Sequence, residues 1–183
     1  MSIYISRQNY QDRRDLVPEF RDLKLKLISS DFQFSVSDKL VKNYYNELLF
    51  IKKKFPNDII TGSIALNLFG LIDREVSDID ILIKDTDRYS GYMNDSYDSE
   101  TGMIDNRLGY VIFGFKRGFF YKKRIYEVDF FRDLGSKYIE FQFEGVNLKI
   151  QHPLEIISAK MGMSRNHKHY RDLERIFALI NEL

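Results

Sequence analysis

The chain has 183 residues, and its 28 Lys and Arg residues nearly balance its 27 Asp and Glu residues, giving a net charge of +1. This balance neither indicates nor excludes a nucleic-acid partner, which only a local basic patch would attract. The absence of cysteine excludes disulfides and thiolate metal sites and fits a reducing cytoplasm. No apolar run of about 18 residues, the minimum for a transmembrane helix, occurs. We therefore expect one cytoplasmic domain over residues 1–183, with a core in 38–150 and helices in 151–183.

The first strong pattern in chain order is an amphipathic helix over residues 38–54. Its apolar residues recur at largely helical spacing, with Ser37 or Ser35 as the N-cap. The run Lys52–Lys54 ends the helix, where positive charge interacts favourably with the helix dipole. We interpret these lysines as a solvated helix end rather than a nucleic-acid contact.

Residues 59–70 follow the pattern of a short apolar strand, a tight turn at Gly62-Ser63 and a helix. Such a turn directs the first unbonded N–H groups of the helix toward an anion above it. Ser63 stands at the expected N-cap, where its hydroxyl adds another donor. The turn therefore predicts a phosphate-binding site.

Two aspartates, Asp78 and Asp80, open the next predicted strand, and Ile79, Ile81 and Ile83 alternate with them. Residues two apart lie on one face of a strand, roughly 6.6 Å from each other, so both carboxylates point the same way. Two such charges repel unless a cation lies between them, and hard oxygen ligands suit Mg²⁺. The alternative is a solvated strand end, but the strand, turn and helix just upstream favour a combined metal and phosphate site.

The middle of the chain predicts a long loop and two hairpins. Residues 85–108 have a loop-like composition, and a loop of that length is usually functional or disordered. The first hairpin has its predicted turn at Lys116–Gly118 and could contact RNA through basic and aromatic side chains. The second is expected over residues 138–150 around Glu144–Val146.

Residues 124–131 predict a strand with Glu127 and Asp129 on one face. Placed beside the strand that carries the aspartate pair, either residue could complete a cluster of three carboxylates. The alternative for Asp129 is an ion pair with Arg124 or Lys123 across a hairpin, and such exposed pairs stabilise little.

Two helices are predicted at the C-terminal end, one beginning near Pro153 and one over residues 166–182. His167 and His169 lie about 200° apart around the second helix, so they predict no zinc site. Lys160 and Lys168 are equally compatible with exposed helix faces.

The combination of Gly62-Ser63, a helix, and Asp78-Ile79-Asp80 at the start of an apolar strand resembles the signature of the DNA polymerase β-like nucleotidyltransferase superfamily. Within it, Arg74, four residues before Asp78, resembles the arrangement in AbiEii-type toxins and small nucleotidyltransferases.

The resemblance continues more weakly into the C-terminal helices. Lys160, followed by Lys168, Arg171 and Asp172, is similar to a basic segment that follows the catalytic strands in the AbiEii-type and related families. Arg175 departs from that pattern, because those families often have a second aspartate there.

The resemblance implies an α/β (or α+β) fold, with a mixed twisted β-sheet flanked by helices and a C-terminal helical extension. It implies that Asp78, Asp80 and Asp129 bind two Mg²⁺ ions and that Asp129, favoured over Glu127, helps to deprotonate the attacking hydroxyl. The residues implied in binding the nucleoside triphosphate are Gly62, Ser63, Arg74, Lys160 and Lys168.

The implied reaction transfers a nucleoside monophosphate from a nucleoside triphosphate to a hydroxyl group and releases pyrophosphate. The acceptor implied first is a tRNA or a protein, as for a toxin, which makes an antitoxin a candidate partner. The alternatives are an antibiotic nucleotidyltransferase and a non-catalytic nucleotide-binding module on the same fold.

Overall fold

A computed structural model of the chain describes residues 20–27, 33–84, 114–162 and 167–182. Its strands are β1 (Ile59–Thr61), β2 (Ile79–Ile83), β3 (Gly114–Tyr121), β4 (Arg124–Arg132), β5 (Tyr138–Phe143) and β6 (Val146–Gln151). They form one sheet in the order β3-β4-β2-β1-β6-β5. β2 is parallel to β4 and β1 is parallel to β6, whereas the other neighbours are antiparallel. The predicted mixed sheet is confirmed.

Helices flank this sheet. They are α1 (20–27), α2 (Asp38–Asn43), α3 (Tyr45–Lys54), α4 (Gly62–Leu68), α5 (Pro153–Gly162) and α6 (His167–Asn181). The last two form the predicted C-terminal helical extension, and the α/β class is confirmed. None of the helices in the described ranges has the length and apolar character needed to cross a membrane.

One face of the central strands forms the core. In β2, Ile79, Ile81 and Ile83 are at most 3 % exposed, and in β4 the alternate residues Tyr126, Val128 and Phe130 are also buried. Helix α3 covers this face, where the ring of Phe50 stacks on Tyr126 at 4.5 Å. Because side chains alternate along a strand, burial of this set turns the aspartates of β2 and β4 toward the opposite face.

The helix predicted over residues 38–54 is wrong as one continuous element. It is divided at Tyr44 into α2 and α3, with Tyr44 at φ −106° and ψ 23°. Ser37 is the N-cap residue of α2, although its side chain makes no capping hydrogen bond. Tyr44 is partly buried against the core, and packing of this kind overrides a helical pattern in the sequence.

The turn predicted at Lys116–Gly118 is also wrong, because β3 runs through these residues. The turn lies at Lys122 and Lys123, which have φ values of 46° and 65°. Two residues at positive φ give the turn geometry that matches the twist of a hairpin. The strand continues past Gly118 because the rings of Phe119 and Tyr121 pack against the core.

The other predicted elements lie close to their expected positions. The β5–β6 hairpin turns at Glu144 and Gly145, which both have positive φ. β4 covers the strand predicted over 124–131, and α6 covers nearly all of the helix predicted over 166–182. The loop predicted over residues 85–108 lies outside the described residues.

Candidate active site

Three carboxylates, those of Asp78, Asp80 and Asp129, line one cleft of about 460 Å³. The sheet brings them together: β2 and β4 are parallel neighbours, and Asp80 is the register partner of Asp129. Asp78 directly precedes β2 and enters the same cleft. Glu127 lies two residues before Asp129 on β4, is exposed and does not line the cleft.

Gly62 allows the turn after β1 to approach the carboxylate of Asp80 closely. Its φ is +65°, a conformation that L side chains rarely adopt. A Cβ atom at this position would lie 1.7 Å from Oδ2 of Asp80. The structure therefore requires glycine here for two independent reasons.

Ser63 does not have the N-cap position expected from the sequence. Helix α4 begins at Gly62, so Thr61 is the N-cap residue, and its side chain makes no capping bond. The backbone N–H of Ser63 donates to the carboxylate of Asp80, and the Ser63 hydroxyl accepts a hydrogen bond of 2.5 Å from Nη2 of Arg74. Ser63 is therefore part of the structure that holds Asp80 in place.

The carboxyl group of Asp80 is strongly perturbed. Burial, together with the negative charges of Asp78 and Asp129, raises the pKa of Asp80 to about 7. The charge of Lys160 and the N–H group of Ser63 act in the opposite direction but are weaker. Asp80 thus changes charge near neutral pH, which is common for groups at functional sites.

A buried ion cluster connects this turn to helix α6. Asp172 is only 4 % exposed and accepts two hydrogen bonds of 2.9 Å from Nε and Nη2 of Arg74. The same carboxylate accepts a bond of 3.1 Å from Nζ of Lys160, which lies on α5. Nδ1 of His169 lies 3.0 Å from that ammonium group. We call Arg74, Lys160, His169 and Asp172 the Asp172 cluster.

The pKa shifts in the Asp172 cluster follow from burial and from mutual charge. Burial alone would raise the pKa of Asp172, but the hydrogen bond from Arg74 and the charge of Lys160 outweigh it and lower that pKa. Burial lowers the pKa of Lys160, and the charge of Asp172 opposes this shift. Burial and the nearby Lys160 charge lower the pKa of His169 to about 4, so the ring is neutral at pH 7. A neutral ring accepts a hydrogen bond from Lys160 through Nδ1.

Several hydrogen-bonded polar residues form the wall of the cleft on the side of β6. The hydroxyl of Thr61 donates to Oε1 of Gln151, while Nε2 of Gln151 donates to the Glu155 carboxylate at 3.2 Å. Both oxygens of Glu155 also accept from the backbone N–H of Lys137, at 3.1 and 3.0 Å. These contacts tie β1, β6 and α5 together beside the carboxylates.

The structure brings together all the residues predicted for the site, though not all in the arrangement expected. Gly62, Ser63, Lys160 and Lys168 line the cleft with the three aspartates. Arg74 reaches the site through its bonds to Ser63 and Asp172.

Sequence reasoning gave no role to Asp172, His169 or Gln151. Asp172 was matched only as part of a basic segment, and nothing in the local sequence indicates that its carboxylate is buried. No local signal marks Gln151, because its partners Thr61 and Glu155 are assigned only by the folded sheet.

The chemistry of these residues fits a divalent cation. Three carboxylates share a cleft, and two of them raise the pKa of the third, which indicates negative charge that a cation would neutralise. Hard oxygen ligands of this kind suit Mg²⁺. Within the ranges that the structure describes, no three His, Asp or Glu side chains are placed so that they could together hold a metal ion as they stand.

Comparison with known proteins adds no assignment. No protein-family model matches this chain, and no curated protein matches it.

Proposed function

We propose that the protein is a Mg²⁺-dependent nucleotidyltransferase that transfers a nucleoside monophosphate from a nucleoside triphosphate to a hydroxyl group. The observation that carries this proposal is the shared cleft of Asp78, Asp80 and Asp129 beside the Gly62 turn. Carboxylates on neighbouring strands, beside backbone N–H groups and lysines, suit a reaction of metal-bound phosphates. The resemblance seen in the sequence points to the same reaction class.

In this proposal Asp78, Asp80 and Asp129 would hold Mg²⁺. When bound, two such ions neutralise charge on the phosphate and stabilise the entering and leaving oxygens. The acceptor oxygen forms a bond to the α-phosphorus while the bond from that phosphorus to the pyrophosphate oxygen breaks. Asp129, the carboxylate that β4 contributes to the cleft, would help to remove the proton of the acceptor hydroxyl.

The basic residues divide into two groups. Arg74 and Lys160 are already bonded to Asp172, so in the proposal they act from fixed positions as a source of positive potential beside the phosphates. Lys168 lines the cleft and is half-buried, and its position in the lining suits contact with the triphosphate. Gly62 and Ser63 would face the phosphates, with Ser63 also holding Asp80.

The test is Mg²⁺-dependent transfer of label from each α-³²P-labelled nucleoside triphosphate to total tRNA and to total cell protein. A double variant, Asp78→Ala with Asp80→Ala, removes two proposed ligands. Glu140→Ala is the matched control, because it removes an exposed strand carboxylate that does not line the cleft.

We expect label in one acceptor for the natural protein and for Glu140→Ala, and none for the double variant. Label in the RNA or the protein fraction would also give the class of acceptor. Label that persists in the double variant would contradict the proposal. Nucleotide binding without transfer to either fraction would favour a small-molecule acceptor or a non-catalytic module.

A further inference from the structure

We propose that His169 binds the triphosphate directly, by donating the hydrogen on Nε2 of its ring to a phosphate oxygen. His169 lies on α6 and lines the cleft together with Lys160 and Lys168. The inference rests on the proposed function and deepens it, because it adds an uncharged donor to the cationic residues beside the phosphates.

The contact between His169 and Lys160 determines which ring nitrogen carries the hydrogen. Nδ1 of His169 lies 3.0 Å from Nζ of Lys160. An ammonium group has three donors and no acceptor, so Nδ1 takes part in this hydrogen bond as the acceptor. A neutral imidazole has one N–H hydrogen, which must then be on Nε2. The ring of His169 therefore has a donor on the nitrogen that does not contact Lys160.

The surroundings of His169 keep this ring neutral. Burial, with the adjacent charge of Lys160 on α5, lowers the pKa of His169 to about 4. The charges of Lys168 on α6 and of Arg74 in the loop before β2 act in the same direction, whereas the charge of Asp172 opposes them. At pH 7 the ring thus offers a hydrogen-bond donor to the cleft without adding a further positive charge.

The position of His169 in the cleft indicates which part of a nucleotide it meets. His169 contacts Lys160 and directly follows Lys168 on α6, and all three side chains line the cleft. The charge of Lys160 also lowers the pKa of Asp80, one of the proposed metal ligands. Positive charge close to bound metal ions attracts the triphosphate, which is the most negative part of a nucleotide. His169 therefore lies on the side of the cleft that suits phosphate.

The donor on Nε2 needs an acceptor once a ligand displaces water from the cleft. His169 is half-buried, and among the residues that the structure describes its ring makes one hydrogen bond, that to Lys160. A donor that loses water without gaining a partner weakens binding, whereas a bond to a charged oxygen is stronger than one between neutral groups. A phosphate oxygen supplies such an acceptor.

Two substitutions of His169 separate the roles of its ring nitrogens. The amide oxygen of Asn is as many bonds from Cα as Nδ1, so His169→Asn retains an acceptor for Lys160 and removes the donor. The amide nitrogen of Gln corresponds to Nε2, so His169→Gln retains the donor and removes the acceptor. If His169 served only to support Lys160, Asn would replace it better than Gln.

The experiment measures binding of inorganic tripolyphosphate with Mg²⁺ by isothermal titration calorimetry at pH 7.5. This probe has the part that all nucleoside triphosphates share, so no base or acceptor needs to be known. His152→Asn is the matched control. Nδ1 of His152 also accepts a hydrogen bond, from the N–H of Leu154 at 3.3 Å, but His152 does not line the cleft.

We expect His169→Asn to weaken tripolyphosphate binding roughly 10- to 100-fold and His152→Asn to leave it unchanged. His169→Gln should bind tripolyphosphate more tightly than His169→Asn. Equal affinities for His169→Asn and His152→Asn would overturn the inference. Weaker binding by His169→Gln than by His169→Asn would overturn it too, as would the absence of tripolyphosphate binding by the natural protein.

Nitrogen-15 NMR of the natural protein tests the same assignment without relying on the folding of a variant. At pH 7.5 we expect hydrogen on Nε2 and none on Nδ1 of His169, and a change in the Nε2 signal when Mg²⁺ and tripolyphosphate are added. Hydrogen on Nδ1 would overturn the inference, and so would an Nε2 signal that tripolyphosphate leaves unchanged.

These measurements and the transfer assay can fail separately. Tripolyphosphate binding that depends on Nε2 of His169, with no transfer to any acceptor, supports the inference while the proposed function fails. Transfer that the double aspartate variant abolishes and His169→Asn leaves unchanged supports the proposed function while the inference fails.

Discussion

Two Asp–Arg ion pairs join the loop between α4 and β2 to helix α6, and they differ in burial and in geometry. Arg74 and Asp172 form a bidentate pair whose side chains are 23 % and 4 % exposed. Asp73 and Arg175 form a single contact of 3.5 Å, with side chains that are 83 % and 48 % exposed. The buried pair belongs to a larger set of contacts, whereas the exposed pair is open to solvent.

The difference shows how α6 is linked to the proposed site. From Asp172 the contacts run through Arg74 to the hydroxyl of Ser63, and the N–H of Ser63 continues to Asp80. Among the described residues the exposed pair makes no such connection to the site, and it is screened by solvent and salt. Only the buried pair is therefore expected to influence both the free energy of unfolding and the carboxylates.

The largest effect is expected when the buried pair is broken. Asp172→Ala leaves the charges of Arg74 and Lys160 without their shared partner, and loss of one member of a buried pair costs about 3–5 kcal/mol. Urea unfolding of Asp172→Ala and of Arg175→Ala measures this comparison directly. If Asp172→Ala and Arg175→Ala lowered the free energy of unfolding by similar amounts, the buried pair would be no more important for stability than the exposed pair.

The next effect concerns Asp80, at the far end of the same contacts. Its folded pKa of about 7 lies above the ordinary value of 3.8, so between these values the folded state binds a proton that the unfolded state has lost. The free energy of unfolding must then fall as the pH rises from about 4 to 7, by on the order of 4 kcal/mol.

We expect Asp80→Asn to remove this decrease, to be the more stable protein at pH 8 and to lose transfer activity. Mg²⁺ should raise the unfolding midpoint of the natural protein at pH 8 but not that of Asp80→Asn. Thermal unfolding from pH 4 to 8, with and without Mg²⁺, checks both statements. An unchanged pH profile in the variant would show that Asp80 is not the perturbed group.

A smaller effect is expected from Gly62→Ala, which displaces Asp80 without altering any charge. The added methyl group clashes with the carboxylate and strains a residue at positive φ. We expect a loss of about 2–3 kcal/mol and a marked fall in activity.

Gly145→Ala is the matched control for this variant. Gly145 also has a positive φ, of +76°, but a Cβ atom there would meet nothing within 4 Å. It should lose only the roughly 1 kcal/mol of backbone strain, with full activity. Equal losses of stability and activity in the two variants would mean that contact with Asp80 is unimportant.

The smallest effect is expected from exchanging the charges of the exposed pair. Asp73→Arg combined with Arg175→Asp preserves the attraction and should change the free energy of unfolding by less than about 0.5 kcal/mol. Arg74→Asp combined with Asp172→Arg is the buried counterpart, and it should be strongly destabilising because Lys160 then faces a second cation. Chemical denaturation of both double variants gives the comparison.

The sequence allowed prediction of those features that depend on a repeating pattern of nearby residues. Burial of every second residue placed Asp80 and Asp129 on one face of their strands, and the strand–turn–helix pattern located Gly62. The break at Tyr44 and the turn at Lys122 were missed because tertiary packing determines both. Gly118 offered a stronger turn signal than two lysines, yet neighbouring aromatic residues keep β3 extended.

The electrostatic part of the site could not be predicted in the same way. Arg74 and Lys160 were expected to meet phosphate, whereas both are bonded to Asp172. Charge in a sequence does not reveal which cation is already paired, because pairing depends on how distant segments pack. The same holds for Ser63, whose N–H is bonded to a side chain on another strand.

The separation of Arg74 and Asp172 along the chain, 98 residues, also affects the order in which the protein matures. During synthesis, β1, β2 and β4 are complete well before α6 leaves the ribosome. Until then Arg74 and Lys160 have no shared carboxylate, and Ser63 and Asp80 lack the support that the buried pair provides. The buried pair can therefore support the carboxylates only after helix α6 has been synthesised, the last of the described elements in the chain.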